Sequence, residues 1–174
     1  AEPGSGIYLG LNEKMSKEEF LFRIENKKDL DSHLFFCEAH PGDYFDLPPL
    51  TLHAIGKGVT LLEPQRVLPG KEGVTYRFWD WDRLYNQEGF YDPKGLPREL
   101  HVEKALDIVD LNDSLGHEII HRVKKPYKEI YVNNKVTIKD YPGNKYYKTQ
   151  VIKMNKKGTL SIQLDRGYGV GFSL

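Results

Sequence analysis

Apolar residues in this chain come in short runs that turn-forming and polar positions keep interrupting. Ile7-Tyr-Leu-Gly10 follows the turn-forming Pro3-Gly4 and reads as a short strand. Ser16-Lys-Glu-Glu19 has the serine and glutamate of a capping box. Behind it Phe20, Leu21 and Ile24 recur at helical spacing, which predicts a helix from about Lys17 to Asn26. From Leu34 onward the pattern changes to strands punctuated by Pro41-Gly42, Pro48-Pro49, Gly56-Lys-Gly58 and Pro69-Gly70. Turn chemistry this dense favours an all-β sandwich or barrel over a layered α/β sheet.

Val59-Thr-Leu-Leu62 and Thr75-Tyr-Arg-Phe-Trp79 carry the β-branched and aromatic residues of strands, whereas Asp80 to Pro97 reads as an irregular surface excursion. Leu100, Ala105, Leu106, Ile108 and Val109 predict a short helix that ends near Asp110-Leu-Asn-Asp113. A basic, polar connection is expected through Lys128. Glu129-Ile-Tyr-Val132, Val136-Thr-Ile138, Tyr146-Tyr147, Val151-Ile-Lys-Met154 and Leu160-Ser-Ile-Gln-Leu164 then form a second series of strand candidates. The chain is expected to open just after a strand and to close in mid-pattern at Gly169 to Leu174, so the expected fold is incomplete at both ends, with open sheet edges.

At 174 residues the chain fits one or two domains. Its 25 basic and 25 acidic residues cancel, so no whole-chain field draws it to nucleic acid or to an acidic membrane, and specificity has to come from a local site. The single cysteine, Cys37, lies in the apolar run His33-Leu-Phe-Phe-Cys37, reads as a buried strand residue and fits a reducing compartment. No apolar run approaches the ~18–20 residues of a membrane span. The expectation is a soluble, cytoplasmic protein.

The strongest local motif is Pro41-Gly-Asp-Tyr-Phe-Asp-Leu-Pro-Pro-Leu-Thr-Leu-His53. It resembles the second conserved motif of cupins: Gly42, Pro48 and His53 occupy matching places, while Leu50 stands where those proteins usually have glycine. Glycine and proline turn the chain tightly, and a rigid strand then presents an imidazole whose neutral ring nitrogen can bind a divalent metal. A lone histidine among apolar residues is more often hydrogen-bonded core. The spacing shifts the reading of His53 towards a ligand.

Three further segments narrow the resemblance. They are His53-Ala-Ile-Gly-Lys-Gly58 followed by Glu63-Pro-Gln65, Thr75-Tyr-Arg-Phe-Trp-Asp-Trp-Asp-Arg83, and Pro97-Arg-Glu-Leu-His-Val-Glu-Lys-Ala-Leu106. In this order they resemble type I mannose-6-phosphate isomerases. The resemblance implies a metal-dependent cupin that interconverts mannose 6-phosphate and fructose 6-phosphate. It implies one zinc held by glutamine, histidine, glutamate and a second histidine, of which His53 alone can be placed here. The other three are expected before Ala1, so the chain by itself is expected to be inactive.

Arg77 matches the family's active-site arginine and is the candidate catalytic residue; the alternative is a surface ion pair with Asp80 or Glu63. Lys57 and Arg83 are candidate substrate-binding cations, and Arg98 and Lys104 are further cations for a phosphate dianion. The carboxylate that the family carries before Thr-Tyr-Arg is displaced here to Glu72 or absent. His101 is expected to make a structural hydrogen bond rather than to act in catalysis. Trp79, Trp81 and Tyr85 either pack or stack on a sugar.

The expected fold is therefore mainly β, a cupin, meaning a jelly-roll-like β-barrel, with short helical insertions. Residues 1–125 are part of the catalytic cupin domain and 126–174 begin a second cupin-like half. Two other readings stay open: a non-enzymatic cupin module that binds a sugar or a protein partner, and a different metal cupin such as an oxygenase or an epimerase-like enzyme.

Overall fold

The computed structural model describes residues 1–26, 29–113, 115–162 and 170–171. The chain divides into two compact units, Ala1–Pro126 and Tyr127–Leu174. In the first unit, β1 (Gly6–Leu11) is the middle strand of an antiparallel sheet, between β2 (Leu34–Glu38) and β3 (His53–Ile55). Ile7, Leu9 and Cys37 pack against Ile119 and Val123, while Leu11 joins Met15, Phe20, Leu30, Leu34, Val109 and Leu111 in a second cluster, with Tyr8 packed against it. β1 is thus covered on both faces, which is why it reads as an unbroken apolar run.

Helix α1 (Lys17–Glu25) starts where the capping box places it. Ser16 Oγ accepts from the Glu19 amide at 3.1 Å, Arg23 pairs with Glu19 at 2.7 Å, and Phe20 is fully buried. A short helix α2 (Leu30–His33) leads into β2. Two-residue strands β4 (Leu84–Tyr85) and β5 (Leu96–Pro97) pair within the expected surface excursion, and α3 (Val102–Ile108) follows as the predicted helix. α4 (His117–Val123) replaces the expected polar connection. Its charged residues mask an apolar spacing of Ile119, Ile120 and Val123, and Ile119 and Val123 pack on β1.

Among the described residues the second unit holds one antiparallel sheet, β6 (Lys128–Val132), β7 (Val136–Tyr141) and β8 (Thr149–Met154). Tyr146-Tyr147 is not a strand: both amides donate to Asn144 Oδ1, at 2.8 and 3.2 Å, in the loop between β7 and β8. Of the Leu160–Leu164 candidate, residues 160–162 are not strand, and the rest lies outside the described residues, as does most of the closing Gly169–Leu174 stretch.

The chain is mainly β, but among the described residues the strands form three small antiparallel sheets and no closed barrel. The departure has a local cause. Val59–Leu62 and Thr75–Trp79 are not strands, and Leu61, Leu62, Val67, Leu68 and Val74 are exposed along the stretch between β3 and β4. Strand propensity yields a ladder only when a partner strand lies alongside.

Candidate functional site

His53 opens β3, opposite Leu9 of β1, at the end of the turn built by the proline-rich motif. In that turn the Thr51 amide donates to Pro48 O at 3.3 Å and Leu50 has φ +67°. Proline at the second turn position and a positive φ at the third suit glycine at position 50, the residue cupins usually have there. Leu50 thus holds a backbone conformation that glycine enters more freely, and its side chain is exposed.

The ring of His53 is exposed, and its Nδ1 lies 2.8 Å from Thr51 O. A carbonyl only accepts, so Nδ1 carries the proton and Nε2 presents its lone pair, the tautomer a metal ligand needs. Among the described residues no three histidine, cysteine, aspartate or glutamate side chains gather into a group that could hold a metal. His53 therefore fits as one ligand, and the described residues do not by themselves make a zinc site.

Lys57 sits on an exposed turn whose flanking glycines are pressed against the start of the chain. A Cβ on Gly56 would meet Gly6 O at 2.4 Å, and Gly58, at φ +78°, would meet Ser5 Oγ at 2.3 Å. Glycine is thus favoured at position 56 by close approach of the Gly6 carbonyl and at position 58 by its positive φ and the neighbouring Ser5 hydroxyl.

Arg77 is half-buried and makes no ion pair among the described residues. Asp80, its expected alternative partner, is taken by Arg83 and by Arg98, the latter at 3.7 Å. The main chain of Arg77 is tied to His101 at two points: His101 N–H donates to Arg77 O at 2.8 Å, and Arg77 N–H donates to His101 Nδ1 at 3.4 Å. His101 therefore fixes the Thr-Tyr-Arg segment to the start of α3, as expected of a structural histidine.

Trp79 packs against the core cluster that holds Phe20, and Trp81 lies with its ring centroid 4.4 Å from that of Trp79 and 5.2 Å from that of Tyr8. The two tryptophans pack mainly against protein rings. Glu63 and Glu72 are exposed. No hydrogen bond, ion pair or ring contact among the described residues joins His53, Lys57, Arg77 and Arg83 to one another. Sequence reasoning missed the shared use of Asp80 by two arginines; the Asp80-to-Arg83 spacing of three was the signal available for half of it.

No family model matches the chain, and no solved structure matches it. Its curated relatives carry the name mannose-6-phosphate isomerase, some of them only as probable. Similarity reaches 34% identity over 106 residues with the mannose-6-phosphate isomerase ManA of Bacillus subtilis, covering 61% of this chain and 30% of that protein. It is 38% over 127 residues with the probable mannose-6-phosphate isomerase GmuF of the same organism, covering 67% and 36%. It is 36% over 111 residues with the mannose-6-phosphate isomerase of Streptococcus mutans, covering 64% and 31%. The resemblance to mannose-6-phosphate isomerases is thus shown over more than half of the chain, and the chain spans about a third of the length of these relatives.

Proposed function

We propose that this chain is part of a type I mannose-6-phosphate isomerase, a cytoplasmic metal-dependent cupin enzyme that interconverts mannose 6-phosphate and fructose 6-phosphate. The observation that carries the reading is the similarity at 34–38% identity to three relatives that all bear that name. His53, with Nε2 open, is one ligand of a divalent zinc ion whose other ligands come from outside the described residues. The isomerisation moves a proton between adjacent carbons, so negative charge develops on the substrate oxygens. Arg77, with no carboxylate partner among the described residues, supplies positive charge for that oxyanion. Residues 1–125 belong to the catalytic cupin half and 126–174 to a second one.

The test is a chimera in which this sequence replaces the matched segment of the Bacillus subtilis ManA relative. It should convert mannose 6-phosphate, and His53→Ala in it should lose both zinc and turnover. A folded chimera without turnover, or a His53→Ala variant with full zinc, overturns the reading. This chain alone, with zinc added, should show no turnover, since one protein ligand does not hold the ion in a defined geometry.

One observation favours a second reading, a non-enzymatic cupin module that binds a sugar or a protein partner. It is the lack, among the described residues, of a group of three potential metal ligands. In that case the chimera folds and binds sugar without converting it.

A further inference from the structure

Asp80, Arg83, Tyr85 and Arg98 form a compact cluster on the excursion between Trp79 and α3. Arg83 Nη2 donates to Asp80 Oδ1, and Arg98 Nε stands 3.7 Å from Oδ2 of the same carboxylate. Both guanidinium carbons also face one ring, at 4.2 Å (Arg98) and 6.0 Å (Arg83) from the Tyr85 centroid. One carboxylate charge is thus set against two guanidinium charges at Asp80.

The arrangement is costly as a purely structural one. Asp80 Oδ2 is buried, with Arg98 Nε beyond bonding distance at 3.7 Å, and the Asp80 side chain is also hydrogen-bonded by the Tyr85 phenol. The turn that brings Arg83 back onto Asp80 passes through Trp81 at φ +56° and Asp82 at φ +51°, a conformation that non-glycine residues adopt at a cost. The Asp80 side chain is only 12% exposed, yet those of Arg83 and Arg98 are 47% and 44% exposed. The carboxylate lies inside and the cations face water. The Arg98 guanidinium carbon stands 4.2 Å over the centre of an aromatic face, which restrains the side chain by cation–π attraction. Burial and the adjacent Asp80 carboxylate raise the pKa of the Tyr85 phenol, so the ring under the cations stays neutral.

We propose that Arg83 and Arg98, held by Asp80 and by the face of Tyr85, form a subsite for the phosphate dianion of a sugar phosphate. Two guanidinium forks match the geometry and the charge of that group, and Asp80 is the positioning residue that keeps both in place. The ligand class rests on the sugar-phosphate isomerase reading; the cluster itself does not.

The experiment follows the 31P resonances of inorganic phosphate and of mannose 6-phosphate on titration with the full chain, in the unaltered protein and in Arg83→Gln and Arg98→Gln. Both probes should bind in a salt-sensitive way, and each substitution should weaken binding by about 10–100-fold, the loss expected for charged hydrogen bonds. If Arg98→Gln loses its circular-dichroism spectrum, Arg98→Lys keeps the charge without the planar fork and should still weaken both probes. Binding of phosphate unchanged in both folded variants, or no binding to the unaltered chain, overturns the subsite. Mannose 6-phosphate bound tightly but independently of both arginines sinks the subsite and leaves the isomerase reading standing. Arginine-dependent binding of inorganic phosphate supports the subsite whether or not mannose 6-phosphate binds more tightly, since the described residues hold one ligand of the proposed metal site.

Discussion

Arg77 and His101 hold each other through reciprocal hydrogen bonds, 2.8 Å from His101 N–H to Arg77 O and 3.4 Å from Arg77 N–H to His101 Nδ1. Nδ1 must be the unprotonated nitrogen for this, and Nε2 then points its proton towards Glu99, 3.9 Å away. Replacing the ring with an apolar side chain leaves a part-buried amide without its acceptor. His101→Leu should therefore cost about 1–3 kcal/mol in a denaturant titration. His101→Asn, which offers an acceptor near the same place, should recover part of that; equal losses in the two variants would mean that the ring packs rather than bonds.

Arg77 itself should matter little to stability, because among the described residues its guanidinium has no ion-pair partner to strand. In the active chimera Arg77→Lys should lower turnover by about tenfold or more, since lysine lacks the planar fork, while the melting temperature stays within about a degree or two. Normal turnover would remove Arg77 from the chemistry.

Leu50 adopts the left-handed backbone that glycine enters freely, and its exposed side chain contributes little packing. Leu50→Gly should be neutral or stabilising by up to about 1 kcal/mol, against the loss usual for leucine-to-glycine changes. A clear destabilisation in a urea titration would show that Leu50 makes contacts that outweigh its backbone.

Burial raises the pKa of the Cys37 thiol, with Lys124 opposing and Asp43 reinforcing the shift. The folded thiol keeps its proton to higher pH than the unfolded one, so stability is full below the unfolded pKa and declines as pH rises through the folded pKa. Alkylation by iodoacetamide at pH 8 should be slower in the native chain than in urea by about tenfold or more. Equal rates would place Cys37 at the surface.

Phe20 is fully buried, and its ring meets that of Phe78 edge to face at 5.0 Å, so the helix core anchors the segment that carries Arg77. Phe20→Ala should cost about 3–5 kcal/mol by thermal or chemical denaturation. A loss under about 1 kcal/mol would mean that α1 is not anchored to the segment through this ring.

Elements that rest on local chemistry were legible from the residues alone. Ser16 with Glu19 sets the start of α1, Ile7 to Gly10 reads as β1, and the turn before His53 follows from Pro48-Pro49. The same holds for the ordered motifs whose likeness to mannose-6-phosphate isomerases the relatives bear out. Tertiary structure alone decided whether apolar runs became strands. Val59–Leu62 and Thr75–Trp79 have strand-like residues, but a ladder is a property of two segments, and among the described residues no partner pairs with them. It also decided α4, whose charged sequence becomes a helix because Ile119 and Val123 find β1. For the site, the sequence named Arg77, Arg83, Arg98 and Asp80 as charges. Which cation meets which carboxylate depends on a turn through Trp81 and Asp82 and on the position of a ring, distances that residue order does not contain.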